Sequence, residues 1–201
     1  MQDWGENPNC EQDTKTKIFQ VAARLIAEKG YNGVSMREIS EQSGVSKPTI
    51  YYYYKSKEEI YKELVNVGLN YVFEMLKEIE ALDMPFKARL VQLMKKNFRL
   101  CLKHPDFTKF FFSLFTFADA MPFLRKFALK VEENGKILSA MIQKGIDAGE
   151  FGASANPVLA AEIIGGVLAH FIWRQLNSEK VILTDKLAED VVEILFKGLN
   201  E

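Results

Sequence analysis

A chain of 201 residues, 48% hydrophobic and 26% charged, is long enough to bury a core as one domain, or as a small domain fused to a larger one. Its two cysteines, Cys10 and Cys101, lack metal-ligand spacing, and the opening MQDWGENPNCEQD has no basic stretch leading into an apolar one, which argues against a disulfide framework and a secretory leader and for a cytoplasmic protein with free thiols. The net charge of −1 conceals an asymmetry, because residues 1–13 sum to −4, residues 14–57 to +5 and residues 58–201 to −2. A basic block of that size suits a polyanion-binding module, although a solvated lysine-rich helix face would read the same on charge alone.

No alternating strand pattern appears, and Gly, Pro, Asn and Asp punctuation falls at helix-length intervals, so the expected class is all-α. The acidic residues 1–13 read as a disordered arm. Residues 14–29 follow as the first helix, with Ile18, Val21, Ala22, Leu25 and Ile26 at helical spacing. Ser35 with Glu38 forms a capping box for a two-turn helix closed by Gly44, Ser46 caps a third helix with Pro48 near its start, and Ser56 with Glu59 opens a fourth. Two short helices around a tight glycine turn make a helix-turn-helix.

The third helix contains TIYYYYKSK, four tyrosines in a row. At about 100° per residue four consecutive side chains sweep around a helix, so they cannot share one task. Ile50 and Tyr54 should pack inward with Tyr51 at the border, while Tyr52 and Tyr53 point outward with Lys47 and Thr49. Between Gln42 and Lys57 stand three lysines and no acid. Exposed phenols beside lysines suit a DNA groove, where a ring packs on sugars or thymine methyls and its hydroxyl reaches a phosphate or base edge. The competing reading is an aromatic core helix with solubilising lysines.

Helix four is expected from Ser56 to about Leu82, with Ile60, Leu64, Val67, Tyr71 and Met75 along one face as a lever between two parts of the chain. Residues 86–102, 107–117 and 123–148 supply three more helical segments, rich in phenylalanine. FFFSLFTF is apolar all around, more than one packed face requires. Residues 157–173 form the longest apolar stretch, but Glu162, His170 and a glycine pair interrupt it, so it reads as a buried helix and not a membrane span. In the last two helices, Ala161, Gly165 and Ala169 repeat at i+4 and Val191, Ile194 and Leu195 at i+3 and i+4, the pattern of a partner surface. Two ordinary core helices would also carry it.

The run from Thr16 to Leu64 resembles the N-terminal DNA-binding domain of the TetR family of bacterial transcriptional regulators. The resemblance rests on Phe19-x-x-Ala22-x-x-Leu25-x-x-x-x-Gly30-Tyr31, Gly44-Val45-Ser46-Lys47, Thr49-Ile50-Tyr51-x-Tyr53 and Lys55-x-Lys57-Glu58-Glu59. Ser40 replaces the usual Ala and Tyr54 the usual Phe, whose buried hydroxyl would need a partner. The resemblance implies a helix-turn-helix domain over residues 14–57, and an effector-binding and dimerisation domain over residues 58–201. It implies that Ser35 and Met36 approach the DNA backbone and that Arg37 reaches a base or phosphate, with a salt bridge to Glu41 as the alternative. Lys47 and Tyr52 are implied for base readout, Pro48 for the same surface, Thr49, Tyr51 and Tyr53 for positioning, and Lys57 for clamping a phosphate.

For the remainder, the resemblance implies a cavity for a small apolar or aromatic effector lined by Leu93, Asn97, Cys101, Phe111, Phe112, Phe115, Met141, His170, Phe171 and Trp173. It implies a homodimer through the last two helices, reading a palindromic operator in double-stranded DNA, and release from that operator when the effector binds. No metal, cofactor or membrane partner is expected. No HExxH, Cys/His cluster, nucleophile with a base or phosphate-binding glycine loop appears, so an enzyme is not expected. The alternatives carried forward are a constitutive or architectural DNA-binding protein and a helical carrier of apolar ligands.

Overall fold

The computed structural model describes residues 10–117, 125–150 and 155–199, and among them the chain is all-α, with nine helices. These are α1 (Cys10–Lys29), α2 (Met36–Ser43), α3 (Lys47–Tyr53), α4 (Lys57–Glu80), α5 (Phe86–Lys103), α6 (Pro105–Phe117), α7 (Arg125–Asp147), α8 (Pro157–Leu176) and α9 (Asp185–Leu199). Most boundaries lie where capping and periodicity set them. The first helix starts earlier than its apolar repeat, at Cys10. Residues 1–9 of the expected arm lie outside the described residues.

The chain divides into two compact units: residues 1–71 with 106–127, and residues 72–105 with 128–201. In the first unit, α6 joins the helix-turn-helix segment. Its core is built on Ile18, Phe19, Ala22, Leu25 and Ile26 of α1, Ile39 of α2, Ile50 of α3, and Ile60, Tyr61 and Leu64 of α4, all buried. Phe110 of α6 is fully buried and meets Tyr61 edge to face at 5.5 Å, while Phe107 stacks on Phe19 at 5.8 Å. Gly68 of α4 makes this approach possible, because a Cβ there would lie 2.5 Å from Phe111 Cε2 and closer still to Cδ2.

In the second unit α5 packs on α8 and α9. The α5 face Phe86, Leu90, Leu93, Met94, Phe98 and Cys101 is buried, and Phe86 lies 6.1 Å from the ring of Phe196. Along the edge of this contact Lys87 pairs with Glu193 at 2.5 Å, Lys95 with Glu189 at 2.6 Å and Arg99 with Asp185 at 2.8 Å. Rising numbers on α5 meet falling numbers on α9, so the pair is antiparallel. The N-terminus of α5 has no local side-chain cap; Glu150, 64 positions on, accepts the Phe86 N–H at 2.5 Å instead.

Residues 157–173 were expected to be a buried helix, and α8 is buried on one face only. Ala160, Ala161, Ile164 and Ile172 face the core, whereas Val158, Leu159, Ile163 and Trp173 are exposed. By length and composition α8 could cross a membrane, with 22% of that stretch buried. Glu162, His170 and Arg174 stand exposed among its apolar residues.

Candidate functional site

The helix-turn-helix is set by two serine caps and one glycine. Ser35 Oγ accepts the Glu38 N–H at 3.1 Å at the start of α2. The reciprocal half of the expected box does not form, because the Glu38 carboxylate pairs with Lys29. Gly44 ends α2 at φ 66°, a left-handed conformation in which a Cβ would be strained. Ser40, in place of the usual Ala, donates its hydroxyl to Val45 O at 2.7 Å and ties α2 to the turn. Ser46 Oγ then accepts the Thr49 N–H at 3.3 Å and lies 2.8 Å from Thr49 Oγ1, so α3 starts one residue after its cap.

The tyrosines separate as helical geometry requires. Ile50 and Tyr54 are buried, Tyr51 is 49% exposed and Tyr52 78% exposed. Tyr53 is half-buried, its ring edge to face with that of Tyr52 at 5.2 Å. Lys47 and Pro48 are exposed and Thr49 half-buried, so the outer face of α3 offers a hydroxyl, an ammonium and phenol rings. The Tyr54 hydroxyl is buried without a hydrogen-bond partner, and burial, followed by the nearby Glu63 and Glu59 carboxylates, pushes its pKa well up. Phe would fill the same space without that orphaned group.

On α2, Ser35 is exposed and Met36 half-buried. Arg37 takes the pairing weighed against DNA contact, with its Nε 2.7 Å from Glu41 Oε1. Both partners are largely exposed, so a phosphate can replace the carboxylate at small cost. Lys57 is differently held. Its Nζ donates to Tyr31 O at 2.6 Å and Val34 O at 2.7 Å and sits 4.2 Å from the Tyr31 ring centroid. Two of its three N–H donors therefore tie the start of α4 to the turn before α2, and desolvation lowers its pKa. Glu59 completes the entry to α4, since its N–H bonds Ser56 Oγ at 3.2 Å and its carboxylate accepts the Lys55 N–H at 2.5 Å.

The residues implied for an effector fall in both compact units. Leu93, Cys101 and Met141 are buried in the second. Asn97 is half-buried there, its amide already donating to Leu93 O at 2.8 Å and directed to Met75 Sδ at 3.5 Å. Phe171 is half-buried, but His170 and Trp173 lie on the exposed face of α8, their rings stacked at 6.5 Å, and do not join the buried set. Phe111 and Phe112 are half-buried in the first unit, and the side chain of Phe115 lies outside the described residues. Burial holds the Cys101 thiol up to about 11, which removes it from nucleophilic chemistry at neutral pH. Among the described residues no three His, Cys, Asp or Glu side chains are grouped to hold a metal ion.

Of the residues implied for a dimer, Gly165 and Ile194 are exposed, Ala169 and Leu195 half-buried, and Ala161 and Val191 buried within the chain's own fold. Spacing alone could not tell which side of α8 is covered by α5. Three features were not signalled by local sequence: the long-range cap from Glu150, the tie made by Lys57, and the seat of Phe111 on Gly68.

Residues 18–64 match the family described as bacterial regulatory proteins, tetR family. Across 92% of this chain and 94% of the relative, 26% of residues are identical to a fatty acid metabolism regulator protein of Bacillus subtilis (strain 168). Among solved structures, the transcriptional regulator FadR from Bacillus subtilis in complex with stearoyl-CoA superposes with a TM-score of 0.69 at 25% identity, covering 90% of this chain and 97% of that one. The ketosteroid transcriptional regulator KstR2 of Mycobacterium tuberculosis shares the fold, with a TM-score of 0.78 at 18% identity over 98% of both chains.

Proposed function

We propose that the chain, whose residues 18–64 match the tetR family of bacterial regulatory proteins, is a ligand-responsive repressor acting in the cytoplasm on a palindromic operator. The observation that carries the DNA half is the outer face of α3, where Tyr52 is 78% exposed beside Lys47 on a helix fixed by serine caps. An idle surface gains nothing from such a ring, whereas a major groove accepts it. Lys47 and Tyr52 read bases. Thr49, Tyr51 and Tyr53 position the helix with Pro48 at its start; Ser35, Met36 and Arg37 meet the backbone, and Lys57 offers its remaining N–H to a phosphate. One seven-residue helix reads few base pairs, so a homodimer placing two such helices about 34–36 Å apart supplies affinity and selects a palindrome.

The effector half rests on similarity along nearly the whole chain to a fatty acid metabolism regulator. A structure bound to stearoyl-CoA supports the same class of ligand. We assign the effector to molecules with a long apolar chain, the fatty acyl thioesters, held against the inward faces of α5 and α7 at Leu93, Cys101 and Met141. Ligand shifts DNA binding only by its differential affinity for two conformations, and α4, which runs from one compact unit into the other, carries the change.

The test is fluorescence-anisotropy titration against duplexes from the protein's own promoter over a range of salt. Tight, palindrome-dependent binding is expected to weaken in Tyr52→Ala and Lys47→Ala and to be lost on adding stearoyl-CoA. The Lys47→Ala salt slope should fall by about 0.9 per phosphate contact removed. Binding no tighter than to scrambled DNA would sink the reading. Specific binding indifferent to acyl thioesters would favour a constitutive DNA-binding protein.

A further inference from the structure

We propose that Asn134 reads the effector by accepting a hydrogen bond from the amide N–H of its thioester arm, the first donor that a fatty acyl-CoA presents beyond the chain. This rests on the acyl thioester reading and names the group that tells such a thioester from an ester or a free acid. Asn134 is 7% exposed, and its side-chain Oδ1 is buried with no hydrogen-bond partner. It stands inside α7, where asparagine is a poor helix former and no cap calls for one. A buried carbonyl left unpaired is strongly unfavourable, and an apolar side chain of similar size would avoid both losses. Asn97 on α5 shows the ordinary arrangement, since its amide donates to Leu93 O at 2.8 Å.

The surroundings make Asn134 a threshold. Along α7 the described side chains from Ala128 to Glu133 are exposed or half-buried, and Asn134 is the first buried one. Leu138, Met141 and Gly145 continue its stripe at i+4, i+7 and i+11, with Met141 and Gly145 buried. Two contacts lay α7 beside α4: Lys130 Nζ is 4.7 Å from the Phe73 ring centroid, and Lys144 Nζ is 2.8 Å from Glu80 Oε1. Numbers rise together, so the helices run parallel, and Asn134, roughly a third of the way from Lys130 to Lys144, comes level with Met75. Asn97 Nδ2 lies 3.5 Å from Met75 Sδ at that level, so α4, α5 and α7 converge there.

An acyl carbonyl, a thioester sulfur and a carboxylate only accept hydrogen bonds, so none of them can satisfy Oδ1. The amide nitrogen that follows the sulfur along the arm of an acyl-CoA can. With that N–H at Asn134, the fatty chain lies inward along the stripe toward Met141, about 10 Å deeper at 1.5 Å rise per residue. The charged end of the coenzyme then points out past Lys130, where the described side chains of α7 meet water. A trapped water is the other partner open to a buried carbonyl. It would leave binding indifferent to an N–H on the ligand, which separates the two cases.

The test uses the full chain and two probes that differ in a single group: S-stearoyl-N-acetylcysteamine, which keeps the amide N–H, and its acetoxy analogue, which has an ester oxygen there. In calorimetric titration the native protein should bind the amide about tenfold more tightly than the ester, and Asn134→Leu should bring the two within about twofold. Without ligand, Asn134→Leu should raise Tm by about 2–4 °C, because it removes the unpaired carbonyl. Equal binding of both probes by the native protein, or a preference that survives in Asn134→Leu, overturns the proposal and leaves the acyl thioester reading intact. A lower Tm for unliganded Asn134→Leu would show that Oδ1 is already satisfied, which also overturns it. If neither probe nor stearoyl-CoA binds the native protein, the acyl thioester reading falls and the proposal with it.

Discussion

Gly68→Ala tests the seat of α6 on α4. In an exposed helix interior this change is favourable by about 1 kcal/mol, because alanine loses less backbone entropy. Here the new methyl would lie 2.5 Å from Phe111 Cε2, against the ~3.5–4.0 Å at which carbon atoms pack. The ring must retreat by about 1 Å, and overpacking of that kind costs about 1–3 kcal/mol. The net expectation is a loss of about 0–2 kcal/mol. Phe111→Ala removes the obstacle, so in that background Gly68→Ala should stabilise by about 1 kcal/mol. The assay is equilibrium urea unfolding of the four proteins at one protein concentration, followed by far-ultraviolet circular dichroism and tryptophan fluorescence. A coupling of about 1–3 kcal/mol should emerge. If Gly68→Ala gains the same stability in both backgrounds, α6 does not approach α4 as described and the seat is refuted.

Tyr54→Phe should raise stability by about 1 kcal/mol, since it removes a buried hydroxyl with no partner; a loss in thermal unfolding would mean that the hydroxyl is satisfied. Burial raises the pKa of both Tyr54 and Tyr61, the latter to about 12, so the folded state resists their ionisation. Stability from these two groups is complete below the unfolded tyrosine pKa of about 10 and should fall as pH rises through 12, by up to about 1.4 kcal/mol per pH unit for each group. Unfolding curves between pH 9 and 12 check this, with Tyr61→Phe flattening the slope. Glu150→Ala should cost about 0.5–2 kcal/mol in urea unfolding, as expected for loss of a carboxylate cap on α5. Lys57→Met should lower stability by about 1–2 kcal/mol, because two carbonyls lose a charged donor, and should change the DNA salt slope less than Lys47→Ala does. The reverse order would make Lys57 chiefly a phosphate contact.

Much of the architecture was legible because it is local. Capping serines, the glycine at position 44, prolines near helix starts and apolar spacing act over three or four residues, the range over which neighbours in sequence are neighbours on a helix. The division of the tyrosine run is of this kind: 100° per residue sends Tyr52 outward once Ile50 is inside, whatever else the chain does. The helix-turn-helix follows from such rules.

What periodicity leaves open is which face meets which neighbour. Both sides of α8 are apolar, so only tertiary packing, which buries Ala160, Ile164 and Ile172, decided that Trp173 and His170 would stand outside. The same holds for Phe111, whose partner is a glycine 43 positions earlier, and for Glu150, which caps a helix begun 64 residues before it. The resemblance implies a phosphate for Lys57; Tyr31 and Val34, brought close by the fold, accept two of its protons. Sequence thus determined the helices and the chemistry they carry, because hydrogen bonding and capping are short-ranged. Tertiary structure alone decided where α6 packs and which face of α8 stays open, because those depend on contacts between segments far apart along the chain.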